Sequence, residues 1–352
     1  MSDYSNLCNL IKNSIELGKV VILPDFFIDR FVRLKSLKDI LEKLRIKIDY
    51  GGGSIHGVEQ FECKGGNAVN IAYALGKLGV KTNLITIADN HSYTLLSKTF
   101  SELKNVELRV IKGKPGYTVA LEFEESNRLV NIMLSDVGDI ANFNPNLLSD
   151  YDFNKIREAE MIVITNWAAN YHFGTELALR VFEFGKSMGV KTLFSPADFT
   201  TRLNDFKDVI NLILKKGLVD MISVNENEAF GLAKLMNLEP LPIKFTKIDI
   251  ERITTNLSLK LNTIVDLHTS ICSATSNGKD TFCVPCFKVN QKVSTGAGDV
   301  WDAGNIFGYL ANFKAEDRLI FANACGALYV SQATPPNKDT VISFLQKVRL
   351  SE

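Results

Sequence analysis

Apolar positions along this chain recur with two spacings, and their alternation carries most of the architecture. Leu7, Leu10, Ile11 and Ile15 fall three or four residues apart, which predicts an amphipathic helix over 6–17. Residues 20–23 form a short β-branched run that ends at Pro24, the pattern of a buried strand. Leu34, Leu37, Leu41 and Leu44 mark a second amphipathic helix before the glycines at 51–53 interrupt the chain. A third helix over 68–78 stops at Gly79. Alternating stretches within 46–63 and 117–133 predict antiparallel strands outside any central sheet.

From residue 83 onward, short apolar strands alternate with helical patterns. Strands are expected at 84–87, 108–111, 161–165, 192–194, 221–224 and 263–266. Helices are expected over 93–103, 174–188, 203–215, 226–236 and 249–261, and three more over 297–310, 315–330 and 338–348 close the chain. This order places a parallel sheet between two helical layers. No repeat, low-complexity tract or linker divides it. The expected fold is one α/β domain over 1–352, a central mostly parallel sheet with helices on both faces, with a small β-sheet lid inserted at 46–63 and 117–133.

Charge and composition narrow the function. The 40 basic and 40 acidic residues cancel, so no basic field points to nucleic acid. No apolar run approaches the length of a membrane span, and the first 17 residues lack the apolar core of a signal peptide. A cytoplasmic location is expected. The six cysteines lack the spacing of a disulfide framework. Cys283 and Cys286, with His268 and Cys272 upstream, supply the ligand types of a zinc site, but a single C-x-x-C without a partner pair of standard spacing reads first as small apolar residues on a hairpin.

The chemistry concentrates in Thr295-Gly296-Ala297-Gly298-Asp299, where a loop turns into an apolar helix. Backbone N–H groups of Gly296, Ala297 and Gly298, unobstructed by large side chains at a helix start, attract anions. Asp299 follows in the first turn, positioned to accept a hydroxyl proton. A turn followed by a capped helix would produce the same letters. The chain lacks G-x-x-x-x-G-K-[ST] and a G-x-G-x-x-G after its first strand, so neither a P-loop nor a dinucleotide fingerprint is present.

The longer string, continuing to Ala303-Gly304, resembles the C-terminal signature of the ribokinase-like (PfkB) carbohydrate kinases. Lys64-Gly65-Gly66-Asn67-Ala68-Val69-Asn70, continuing to Gly79, resembles their N-terminal signature. The resemblance implies a Mg²⁺-dependent transfer of a terminal phosphoryl, from ATP or another nucleotide such as ADP, to a sugar, nucleoside or polyol. It makes Asp299 the base and Gly296, Ala297 and Gly298 the anion hole. Asp29, which stands where relatives carry the last residue of Gly-x-x-x-x-Asp, would bind substrate with Gly65, Gly66 and Asn70. Asn225 and Glu228 match N-x-x-E, Glu228 holding Mg²⁺ through water; an Asn-Glu capping box is the plainer alternative.

Asn323 matches a late position beside the nucleotide. Trp167, after a strand, is a stacking candidate or a rim aromatic. Asp198 and Arg202 loosely match Asp-Pro-x-x-Arg, Arg202 offering a phosphate contact or a helix cap. Three departures stand out: Val293 where relatives often carry Asp, Pro24 for a glycine, and Leu267-His268 with Ile271 where relatives have Thr-Leu-Gly-x-x-Gly. His268 therefore faces the expected nucleotide side. A sensor that kept the fold and lost catalysis is the alternative, and a homodimer through the lid is expected from its apolar strands.

Overall fold

The computed structural model describes residues 4–125, 128–238 and 245–348. Its first third contains α1 (Ser5–Asn13), β1 (Val20–Leu23), β2 (Phe27–Leu34), α2 (Leu37–Asp49), β3 (Glu59–Gly65), α3 (Asn67–Lys77), β4 (Thr82–Ala88), α4 (Asn90–Phe100), β5 (Val106–Lys112) and β6 (Gly116–Glu125). The middle follows with β7 (Arg128–Asp136), α5 (Asp150–Arg157), β8 (Met161–Thr165), α6 (Gly174–Ser187), β9 (Lys191–Ser195), α7 (Leu203–Val209), β10 (Met221–Asn225) and α8 (Glu226–Leu235). The last third adds α9 (Lys247–Leu261), β11 (Ile264–His268), β12 (Cys272–Ser276), β13 (Thr281–Pro285), α10 (Ala297–Leu310), α11 (Ala315–Gln332) and α12 (Lys338–Lys347).

Nine strands form the large sheet in the order β13-β12-β11-β10-β9-β8-β1-β4-β5. Strands β5 to β11 of this sheet pair in parallel, and β12 and β13 extend it as an antiparallel hairpin. The central strands are apolar throughout because both faces are covered. Val20 and Ile22 of β1 enter one core with α3, α10 and α11, while Val21 and Leu23 enter the other with α6 and α9. Strand order runs outward in opposite directions from β1 and β8, so their carboxyl ends open a crevice at the switch point.

A second sheet of order β3-β2-β6-β7 stands beside this crevice. Its strands differ from those expected. The span 46–63 holds the end of α2, an irregular stretch and part of β3, and the lid takes β2 as well. Pro24 and the unbroken buried run Phe27-Ile28-Asp29 disguise β2, because its first residues are still enclosed by the core and show no alternation. The sheet is also mixed rather than antiparallel, since β2 and β6 pair in parallel. Strands β6 and β7 occupy most of 117–133; residues 126–127 lie outside the described ones. Helix α2 packs loosely: none of its residues is buried, and Leu37, Leu41, Leu44 and Ile48 are exposed.

Candidate active site

The start of α3 shapes one wall of the crevice. Its N-cap is Gly66, at φ +91°, which has no side chain to satisfy the first amides. Asp25, just past β1, does so instead, accepting from Asn67 N at 2.7 Å and Ala68 N at 3.0 Å. The same carboxylate accepts from Thr165 Oγ1 at 2.6 Å and Asn166 Nδ2 at 2.9 Å at the end of β8. A Cβ on Gly66 would come within 3.0 Å of the Asp25 carbonyl and Phe26 Cα. Asp25 thus joins three distant segments at the switch point. Sequence patterns gave it no role, although a glycine N-cap calls for an acceptor from elsewhere.

The opposite wall is the start of α10. Gly296 adopts φ +84°, and the preceding Thr295 carbonyl accepts from Tyr329 Oη at 2.9 Å. Asn131 of the lid donates to Thr295 Oγ1 at 3.3 Å, linking the second sheet to the loop before α10. Of the three amides expected to form the anion hole, Ala297 N is committed to the Ser294 carbonyl at 3.1 Å. Gly296 N and Gly298 N meet no acceptor among the described residues. His268 packs against this turn: a Cβ on Gly298 would sit 2.9 Å from its Cε1. Burial lowers the imidazole pKa to about 4, so the ring is neutral, and it lies 5.1 Å from the Trp301 ring.

Asp299 lies between the walls. Its Oδ1 accepts from Asn67 Nδ2 at 2.6 Å and its Oδ2 from Asn70 Nδ2 at 2.8 Å. Burial raises its pKa to about 7, opposed by those two amides; Asp25 adds to the rise and Lys64 lowers it. Lys64 donates to Asn70 Oδ1 at 2.5 Å, and burial pulls its own pKa down to about 8. Asp29 reaches the same region from β2, raised to about 6 by burial against the opposing Thr118 hydroxyl. A Cβ on Gly65 would overlap the Asp29 carboxylate, so the glycine makes that position possible.

More acids line the depth of the site. Asp302, one turn beyond Asp299, accepts from Ser195 at 3.0 Å and Ser223 at 2.5 Å, and burial lifts it to about 7. Asn225 and Glu228 form a full capping box at the start of α8. Both Glu228 oxygens are engaged, with Asn225 N at 2.9 Å and Asn225 Nδ2 at 2.7 Å. Burial lifts Glu228 to about 8, and Asp302, Asp198 and Asp299 push it further in the same direction.

Other expected residues lie elsewhere. Trp167 is core: it packs edge-on against Phe206 at 5.1 Å and donates to Thr175 at 3.1 Å, so its faces are closed to a ligand. Asn323 is fully committed, accepting from Ser273 and Trp301 and donating to the Val284 and Pro285 carbonyls. Arg202 holds the carbonyls of Trp167, Ala168, Asn170 and Tyr171, a structural clamp. Cys272 and Cys283 sulfurs touch at 3.0 Å, but Cys286 turns to the Thr269 carbonyl. Among the described residues no three metal-ligand side chains converge, so the zinc geometry is not formed.

The site therefore sets a carboxylate, two open amides and a polar wall around one crevice, a combination able to take a proton beside a bound anion. The family model described as pfkB family carbohydrate kinase matches residues 45–338. A 5-dehydro-2-deoxygluconokinase of Lacticaseibacillus casei is 23% identical over 300 residues, covering 82% of this chain and 88% of the relative. An ATP-dependent ribose-1-phosphate kinase of Halopiger xanaduensis is 23% identical over 297 residues, covering 82% and 88%. Among solved structures, the Arabidopsis thaliana ribokinase complexed with ribose and ATP aligns with a TM-score of 0.71 at 18% identity, covering 95% of this chain and 100% of that one. The adenosine kinase of Sinorhizobium meliloti aligns at 0.72 and 16%, covering 94% and 99%. These likenesses establish a ribokinase-like fold.

Proposed function

Because the chain belongs to the pfkB family of carbohydrate kinases, we propose that it transfers the terminal phosphoryl of ATP to a hydroxyl of a sugar, nucleoside or polyol, with Asp299 as the base. The observation that carries this is the place of the Asp299 carboxylate: in the first turn of α10, beside two uncommitted amides and held by Asn67 and Asn70. The relatives named as acting on 5-dehydro-2-deoxygluconate and ribose 1-phosphate, and the ATP in the name of the second, support a hydroxylated acceptor and ATP as donor.

In this reading the acceptor hydroxyl lies between Asp29 and Asp299, with Gly65 and Gly66 allowing close approach. Its oxygen forms the new bond to the terminal phosphorus, the bridging P–O bond breaks, and that electron pair leaves with ADP. Asp299 takes the hydroxyl proton as the bond forms, while Gly296 N–H, Gly298 N–H and the α10 dipole stabilise the transferring group. The Ala297 amide, bound to Ser294, takes no part. Mg²⁺, held through water by Glu228, would neutralise phosphate charge. His268 borders the donor phosphates as a neutral ring; Asn225 orients Glu228, and Asn323 braces the neighbouring hairpin. The protein acts in the cytoplasm, and the lid edge at β7, which exposes Val130, Ile132 and Leu134, pairs two copies.

Purified protein with ATP and Mg²⁺, assayed against sugars, sugar acids, sugar phosphates, nucleosides and inositols, tests the reaction. Asp299→Asn should lower kcat by roughly 10²–10⁴-fold while nucleotide still binds. Undiminished turnover in that variant would remove Asp299 as the base. Binding with no acceptor-dependent ADP release would favour a sensor.

A further inference from the structure

We infer that Lys64 is a positioning residue for proton transfer: its ammonium fixes which end of the Asn70 amide faces Asp299. The inference rests on the kinase reading above. Asn70 stands between two groups of opposite hydrogen-bonding capacity. Lys64 can only donate and the Asp299 carboxylate can only accept. The amide oxygen lies 2.5 Å from Lys64 Nζ, and its nitrogen 2.8 Å from Asp299 Oδ2. Turning the amide over would replace two hydrogen bonds with two repulsive contacts, so one orientation holds.

That orientation matters for the base. Asn67 restrains only Oδ1. With Asn70 donating to Oδ2, both oxygens are held, and the remaining lone pairs point in fixed directions. Removal of the cation frees Asn70 to present its oxygen to the carboxylate, which unseats the base and disfavours its ionised form. Packing alone does not require a cation here, since methionine would fill much the same space against Tyr73. The ammonium lies 4.9 Å from that ring on α3.

The electrostatic surroundings define a pH window. Lys64 on β3 is faced by Asp299 on α10, Asp29 on β2 and the neighbouring Cys63; burial outweighs their support and brings its pKa to about 8. Asp299 is faced by Asn67 and Asn70 on α3, Asp25 after β1, Lys64, Asp302, Glu228 on α8 and Tyr329 on α11. Its value of about 7 makes the base active only above that pH, whereas Lys64 locks Asn70 only below about 8. The raised Asp299 and the lowered Lys64 are together expected to give a bell-shaped profile, its acid limb set by the base and its alkaline limb by the ammonium.

The experiment is the pH profile of kcat/KM for the native enzyme, Lys64→Met, Lys64→Arg, Asn70→Ala and the Lys64→Met/Asn70→Ala pair, with the best acceptor of the panel. Lys64→Met should lower kcat roughly 10- to 100-fold, shift the acid limb upward and abolish the alkaline limb, with the nucleotide KM unchanged. Lys64→Arg should restore most activity and the alkaline limb, moved to higher pH. In the Asn70→Ala background, Lys64→Met should add little, because both act through one amide. An unchanged profile shape in Lys64→Met, or multiplicative losses in the pair, would overturn the inference. If Lys64→Met does not fold, Lys64→Leu takes its place in the same measurement: an unchanged profile shape, or a loss that multiplies with that of Asn70→Ala, excludes the role. Failure of the kinase reading looks different, since the native protein would then phosphorylate no acceptor.

Discussion

Gly298 shows how much of this chemistry depends on a missing side chain. Its amide is one of two left open at the start of α10, and His268 leaves no room for a Cβ beside it. Gly298→Ala should cost about 1–3 kcal/mol of stability if the turn holds, through overpacking against the imidazole. If the turn yields instead, the nucleotide KM or kcat should suffer. Thermal melts and kinetics on the same preparation distinguish the two. His268→Ala should relieve the Gly298→Ala defect, and a double-mutant cycle measures that coupling. At this scale, Asp299 and Asn70 were legible because each stands inside one of the two signature strings. Asp25 and Lys64 were not, because their parts are defined by partners 40 residues or more away in the first case and by the amide they orient in the second.

Arg318 ties elements together where no catalytic group is involved. From α11 it forms a two-pronged contact with Asp266 of β11, at 3.2 Å for each prong, and reaches Asn305 of α10 and Thr275 of β12 at 2.8 Å. Both charges are buried, so Arg318→Met would leave Asp266 unpaired and should cost about 3–5 kcal/mol. Chemical denaturation measures this. Adding Asp266→Asn should recover part of the loss, because the stranded charge disappears. The elements themselves were readable to different degrees. Strands β1 and β8 to β11 announce themselves as short apolar runs because both faces are covered. Strand β2 carries FIDRFVRL, enclosed at one end and open at the other, so no single period describes it. Helix α2 kept its helical spacing while turning Leu37, Leu41, Leu44 and Ile48 to solvent, so periodicity found the helix but not its packing.

Across the whole molecule, four enclosed carboxyls share one electrostatic direction. Asp29, Asp299, Asp302 and Glu228 are raised to about 6, 7, 7 and 8, mainly by burial. A raised folded-state pKa stabilises fully below the unfolded value, near 4, and the gain is lost as pH rises through the folded value. The melting temperature should therefore fall between pH 5 and 8, and Asp302→Asn should flatten that fall. Calorimetry across the range checks it; Lys64, depressed to about 8, opposes the trend only above that pH. The parallel register of β2 with β6 has a further consequence during synthesis. Phe27 emerges from the ribosome well before its partner Gly116. At ordinary elongation rates the gap of about 90 residues lasts roughly 5–20 seconds. Through that interval the aromatic strand edge has at most β3 beside it, once residues 59–65 have been made, so chaperone capture of the nascent chain should peak before residue 116 is made and subside after it.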